Sequence, residues 1–147
     1  MIREVSPLTS KDQTGQAMYR LVEMGHAAND LGELAKMPLP SFFDKVRKIP
    51  YRRDPKGKET VARPSLLLKE FPEMDCKKKA ILMAAWLKKN NVPFRFIAVS
   101  EIPSGKFHHV FVIARVSGAW RNVDATYPHY TLFMKKPRVT RRQILKP

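Results

Sequence analysis

The chain carries one cysteine, Cys76, in the stretch "EMDCKKKAILMAAWLKK". A thiol held as thiolate is a strong nucleophile near neutral pH, and a helix N-terminus favours that state through its partial positive charge and free backbone N–H groups. Cys76 falls where such a terminus is expected. Asp75 suits an N-cap, and Ala80, Ala84 and Leu87, with Ile81 and Met83 beside them, keep helical spacing until "NNVP" at 90–93 ends the run. Lys77, Lys78 and Lys79 crowd the first turn, where the helix dipole prefers acids. They need another reason, either stabilising a thiolate or meeting an anionic partner. A competing reading makes Cys76 a small buried hydrophobe, because it shares the apolar stripe of its helix.

A nucleophilic thiol needs a base, and the base needs a group to orient it. Residues 107–128, "FHHVFVIARVSGAWRNVDATYP", offer His108, His109 and Asp124 on two adjacent strand-like segments. Across an antiparallel pair, a histidine and Asp124 could lie side by side and face the end of the Cys76 helix. Alternation groups His109 with Phe107 and Phe111, and His108 with Val110 and Val112, so one of the two can serve and the residues alone leave the choice open. Zinc usually asks for paired ligands at short spacing, which Cys76, a histidine and Asp124 do not provide. With no glycine-rich phosphate loop and no paired-cysteine or His-rich motif, no cofactor and no metal are expected.

The elements that must position these residues are partly legible. Residues 11–36 carry apolar residues at Ala17, Leu21, Met24, Ala28, Leu31 and Leu34, which predicts a long helix interrupted near Gly25. The following proline-rich stretch predicts loop around a short helix beginning at Ser41, with Asp44 three residues on. After the Cys76 helix, segments 94–100, 107–116 and 119–127 are rich in β-branched and aromatic residues, and "IPSGK" and "VSGA" mark turns that suit antiparallel neighbours. The middle segment is apolar on both faces, so it should lie centrally and be covered on both sides. Residues 129–147 are basic and lack periodicity, which predicts a tail. The expected fold class is α+β, helices packed on a mainly antiparallel sheet. At 147 residues it should form a single domain, with a helical region over 1–50, a core over 51–128 and the tail beyond.

Three blocks in order resemble the transglutaminase-like branch of the papain-like cysteine enzymes. "DCKKKAILMAAWLKKNNVPFRFIAV" is similar to that family's Asp-Cys, helix, break and strand; "HHVFVIARV" to its histidine strand; and "GAWRNVDATYP" to its Gly-x-Trp and Asp-Pro-Thr strand. The resemblance covers residues 51–128, and "YRRDPKGKETVARPSLLLKE" is similar to the segment leading to the cysteine in some phage and prophage members. It implies Cys76 as nucleophile, Asp124 as orienting carboxylate and a histidine of "FHHVF" as base. In the family that histidine precedes the Trp by eleven residues and the Asp by fifteen, which His109 matches against Trp120 and Asp124. The implied activity is a cysteine protease or amidase acting on a peptide or isopeptide amide through a thioester. The lysines after the cysteine and the "DATYP" variant depart from the family's pattern without removing a member of this set. A fold of this kind can also persist without catalysis, so the alternative is a structural or binding component, for example of a phage particle and its other structural proteins.

Charge bears on partners. Twenty-eight Lys and Arg against 13 Asp and Glu give a formal +15, which attracts acidic proteins and polyanions. Arg52, Arg53, Lys56 and Lys58, with Lys135, Lys136, Arg138, Arg141 and Arg142, are the candidates for such a surface, against the reading that they solvate the exterior. Trp86 and Trp120 are expected as core or rim aromatics, and His26 and His129 as surface or capping residues. No apolar run approaches the roughly 18 residues of a membrane span, and no signal peptide is recognisable. A cytoplasmic or virion-associated location is expected.

Overall fold

A computed structural model describes residues 3–5, 11–55 and 59–147, so Lys56 and Lys58 of the candidate basic surface lie outside the described residues. Strand β1 (Arg3–Val5) pairs antiparallel with β2 (Thr60–Ala62) in a two-stranded sheet. Helices α1 (Lys11–Ala27), α2 (Leu39–Arg47), α3 (Pro64–Glu70) and α4 (Cys76–Lys89) pack with a four-stranded antiparallel sheet of β3 (Phe94–Ser100), β4 (His109–Val116), β5 (Ala119–Val123) and β6 (Arg141–Ile144). Its order is β5-β4-β3-β6, and the architecture is α+β.

Helix α4 is the centre of the molecule. Every residue from Lys78 to Leu87 is buried, which accounts for its weak amphipathic pattern: α1, α2 and α3 cover the sides that the sheet does not. It ends as the sequence predicts. Asn91 takes φ +58°, the Val92 N–H returns to the Leu87 carbonyl at 2.9 Å, and Pro93 precedes β3.

The break expected near Gly25 does occur, but Gly25 does not make it: α1 ends at Ala27, and a short 3-10 helix spans Gly32–Lys36. The chain reverses at Asn29, where φ is +53° and the Asp30 N–H reaches the Gly25 carbonyl at 2.9 Å. Gly25 is needed for close approach instead, since a Cβ there would stand 2.6 Å from Cδ of Pro64 at the start of α3. Gly25→Ala is therefore expected to destabilise the protein by up to about 2 kcal/mol, the roughly 1–3 of overpacking less the ~1 that alanine returns to a helix. Thermal unfolding checks this, and an unchanged midpoint would mean that α3 moves aside at no cost.

Three further expectations are corrected. Helix α2 starts at Leu39 after Pro38, two residues before Ser41, because first-turn N–H groups have no intrahelical partner and Pro40 in that turn forfeits nothing. Residues 64–70 form α3, which lacks the length to show a period. The supposed tail supplies β6: Ile144 lies opposite Ile97, and the Leu145 N–H donates to Phe96 O at 2.8 Å while its side chain packs on Gly15. Four residues, two of them exposed arginines, make an edge strand without an alternating pattern.

β4 is central as expected, but the two faces of the sheet are unequal. Val112, Ala114, Phe96 and Ala98 join the main core with the helices. Ile97, Val99 and Phe111 form a smaller cluster on the other face, with Ile113 and Val139 against it. Among the described residues, no helix is long and apolar enough to cross a membrane.

Candidate active site

Cys76 is the first residue of α4. Asp75 caps the helix, its side chain accepting the Lys78 N–H at 3.0 Å from an extended backbone conformation. His109 opens β4 and Asp124 follows the last residue of β5. Because these strands are antiparallel, the beginning of one and the end of the other meet at one end of the sheet. Val112 lies opposite Val123, and continuing that register sets Phe111 opposite Asp124. His109 shares the face of Phe111, so it reaches Asp124 diagonally, and Nε2 and Oδ2 are 2.7 Å apart. His108 has the opposite parity. It is exposed, and its Nε2 accepts the Glu101 N–H at 2.9 Å across the β3–β4 turn.

Asp124 is 2 % exposed, and each of its oxygens is engaged. Oδ1 accepts the Thr126 N–H at 3.1 Å together with the Thr126 hydroxyl. Oδ2 receives His109 and also the Lys136 ammonium, at 2.8 Å. The Lys136 side chain is 4 % exposed, with Nζ 4.4 Å from the centre of the Tyr130 ring and 5.0 Å from that of Phe111. Its assignment to a polyanion-binding surface is thus corrected. Nothing in the basic run "KKPR" distinguishes Lys136 from Lys135, because the loop that buries one of them has no period.

Burial works against the His109 imidazolium, but hydrogen bonds and charge from Asp124 and Cys76 more than offset it and raise the group to about 10. Burial likewise opposes the Asp124 carboxylate, yet His109 and Lys136 hold it down at about 2. With Nε2 on Asp124, Nδ1 is the ring nitrogen left for the thiol. The folded pair is charged and mutually supporting, with consequences for stability. Asp124 stabilises the fold above its ordinary 3.8, and that contribution is lost as pH falls towards 2. His109 stabilises it fully below 6.5, and that contribution is lost as pH rises towards 10. Urea unfolding midpoints should fall on the acid side, and His109→Gln should flatten part of the alkaline dependence. An alkaline slope identical in both proteins would remove the ion pair from the explanation.

The three lysines after Cys76 face inward, which corrects their reading as an exposed contact for an acidic partner. Lys77 bridges Asp75 and Glu59, and burial, which disfavours its charge, is outweighed by those acids and by Cys76, so its pKa is raised. Lys78 reaches Asp54 at 2.7 Å and Asp75 at 3.7 Å. Lys79 donates to the carbonyls of Ile49 (2.6 Å), Thr126 (2.7 Å) and Arg47 (3.3 Å). Asp54, Glu59 and Asp75 bring carboxylate oxygens within 4.8 Å of one another, and the ammonium groups of Lys77 and Lys78 neutralise that cluster.

A cavity of about 500 Å³ opens over Cys76 and His109, walled by Ala98, Phe107 and Val110. Tyr127 and Tyr130 also feel the Cys76 charge. Burial, together with Tyr51 for the first and Asp124 for the second, raises both to about 12. Trp86 is buried, its indole N–H donating to Met37 O at 3.0 Å. Trp120 is 43 % exposed and lines a different cavity of about 960 Å³, with Arg95 stacked 5.5 Å from its ring.

No family model and no curated protein matches the chain. Among solved structures, the fold is similar to a crystal structure described as "a Putative Cysteine Protease from Cytophaga hutchinsonii", with a TM-score of 0.52 and 16 % sequence identity. The likeness covers 84 % of this chain and 45 % of that one, so the chain spans less than half the length of its neighbour. At such identity the likeness is one of fold.

Proposed function

We propose that this protein is a cysteine hydrolase of the transglutaminase-like type, acting on a peptide or isopeptide amide through Cys76, His109 and Asp124. The observation that carries the reading is the buried His109–Asp124 pair at 2.7 Å, near enough to the Cys76 thiol at the start of α4 for its charge to act on the imidazole. The fold neighbour's description adds weight in the same direction. Cys76 Sγ attacks the amide carbonyl carbon, and the oxygen takes negative charge that the Cys76 backbone N–H helps to hold. The C–N bond breaks as His109 gives its proton to the leaving amine, which leaves a thioester. Water, deprotonated by His109, attacks the thioester carbon, and the thiolate departs with the carboxylic acid formed. Asp124 keeps the ring oriented and stabilises its charged form throughout.

Alkylation tests the first requirement of this scheme. As the chain has one cysteine, mass spectrometry reads Cys76 without ambiguity. Iodoacetamide at about pH 6, where an ordinary thiol with a pKa near 8.5 is almost wholly protonated, should modify Cys76 at least tenfold faster than a cysteine peptide. A rate equal to the peptide's would remove the ion pair and the proposal with it.

A further inference from the structure

The cavity over Cys76 has a charge pattern that the hydrolytic scheme does not use. Lys11, at the start of α1, and Lys106, before β4, line it on the side of Phe107. The Lys11 ammonium lies 5.3 Å from the Phe107 ring centre, and the Arg141 guanidinium from β6 stands 4.4 Å from the same ring. Three cations from three separate parts of the chain thus gather around one apolar wall. Among the described residues lining the cavity the acid is Glu59, and its charge is already matched by Lys77 at 2.5 Å. At about 500 Å³ the space is of the size that holds small ligands, and it combines apolar walls with fixed positive charge.

We infer that this rim selects the substrate: an amide that carries a carboxylate close to the scissile bond, with an apolar group against Phe107, as in an acidic peptide. The inference rests on the proposed hydrolase reading and adds to it the class of substrate. Charge here acts at short range on one side of the nucleophile, which distinguishes it from the diffuse attraction of a +15 chain. The carboxylate can belong to an acidic side chain or to a chain terminus, and both present the same anion to Lys11 and Lys106.

Two alkylating agents that differ in charge separate the inference from the reading beneath it. In each, the Cys76 thiolate displaces iodide from carbon and forms a thioether, so the chemistry is shared. At about 0.01 M ionic strength, where screening extends roughly 30 Å, iodoacetate should gain on iodoacetamide by about tenfold relative to their ratio on a cysteine peptide. The gain should fade at about 1 M, where screening acts within ~3 Å. In a Lys11→Glu, Lys106→Glu protein the ratio should fall below that of the peptide. In Lys36→Glu, Lys89→Glu, which changes net charge equally, it should fall far less and stay above that of the peptide, since Lys89 closes the far end of α4, about 20 Å from Cys76. An unchanged ratio in the first variant, or an equal drop in the second, overturns the inference while leaving the hydrolase reading intact.

Should neither reagent outpace the peptide, the hydrolase reading fails and binding decides the rim by itself. Cys76→Ala protein would be titrated with short peptides bearing glutamate or glutamine, each as free acid and as amide. Tighter binding of the glutamate peptides, lost in the Lys11 and Lys106 variants, supports anion recognition by side chains. Preference for the free acid alone assigns the anion to a terminus, and equal binding of all four overturns it.

Discussion

Hydrolysis of a cleavable amide is expected to fall by about 10⁶-fold in Cys76→Ala and by about 10³–10⁴-fold in Asp124→Asn, read as kcat in single-turnover assays. The first loss follows from removing the atom that forms the thioester. The second has a different origin, because an asparagine amide at position 124 presents either an oxygen or an N–H to His109 Nε2 and carries no charge to hold an imidazolium. The same change would leave the Lys136 ammonium without the carboxylate it meets at 2.8 Å, in a site where its side chain is 4 % exposed. Uncompensated buried charge costs about 3–5 kcal/mol, so the single variant should also be less stable. Asp124→Asn with Lys136→Met removes both charges together and should recover much of that stability, while kcat stays low. Recovery of activity along with stability would make Asp124 a structural residue only.

The largest expected effect on folding lies at Lys79. Lys79 is 1 % exposed, and its ammonium ties the carbonyls of Arg47, the last residue of α2, and Ile49 to that of Thr126, two residues after Asp124. Burial lowers its pKa to about 8, with the Asp124 charge acting in the opposite direction. Three carbonyl oxygens arranged around one amine explain why a cation is retained at a core position. Lys79→Met keeps the length of the side chain and leaves those oxygens without their donor. At about 1–3 kcal/mol for each buried group left unsatisfied, a total loss of several kcal/mol is expected, enough to lower the urea midpoint substantially. A loss under about 1 kcal/mol would show that water replaces the ammonium.

The two variants meet in one segment. Thr126 bonds to Asp124 through its backbone and hydroxyl, and its carbonyl accepts from Lys79. Lys79 therefore anchors the strand end that carries the carboxylate. Stability and the candidate site are coupled there through three residues, and Lys79→Met should loosen His109–Asp124 as well as the fold.

Much of this arrangement is local in origin and can be read along the chain. A capping aspartate followed by helical spacing sets Cys76 at a helix start, and alternation in "FHHVF" separates the two histidines by face. Turn residues between consecutive strand segments make them antiparallel, which brings the beginning of one strand to the end of the next. These are consequences of the helical and strand periods, so neighbouring residues suffice to state them. What the strand period left open was which histidine meets Asp124; the register of β4 against β5 answers it, with His109 on the face of Asp124 and His108 on the turn.

Only the tertiary structure decided the fate of the charges. Lys77, Lys78, Lys79 and Lys136 look alike in the sequence to Lys36 or Lys89, because a lysine carries no mark of its partner. Their partners lie between 2 and 47 positions away, at Asp75, Asp54, Glu59, the carbonyls of Arg47, Ile49 and Thr126, and Asp124, and chain folding alone brings those groups within reach. The same holds for β6, whose four residues become a strand through pairing with β3, and for Gly25, whose role is set by Pro64 across the interface. Periodicity determines which elements form and which way their side chains point; long-range packing determines which buried groups must satisfy one another.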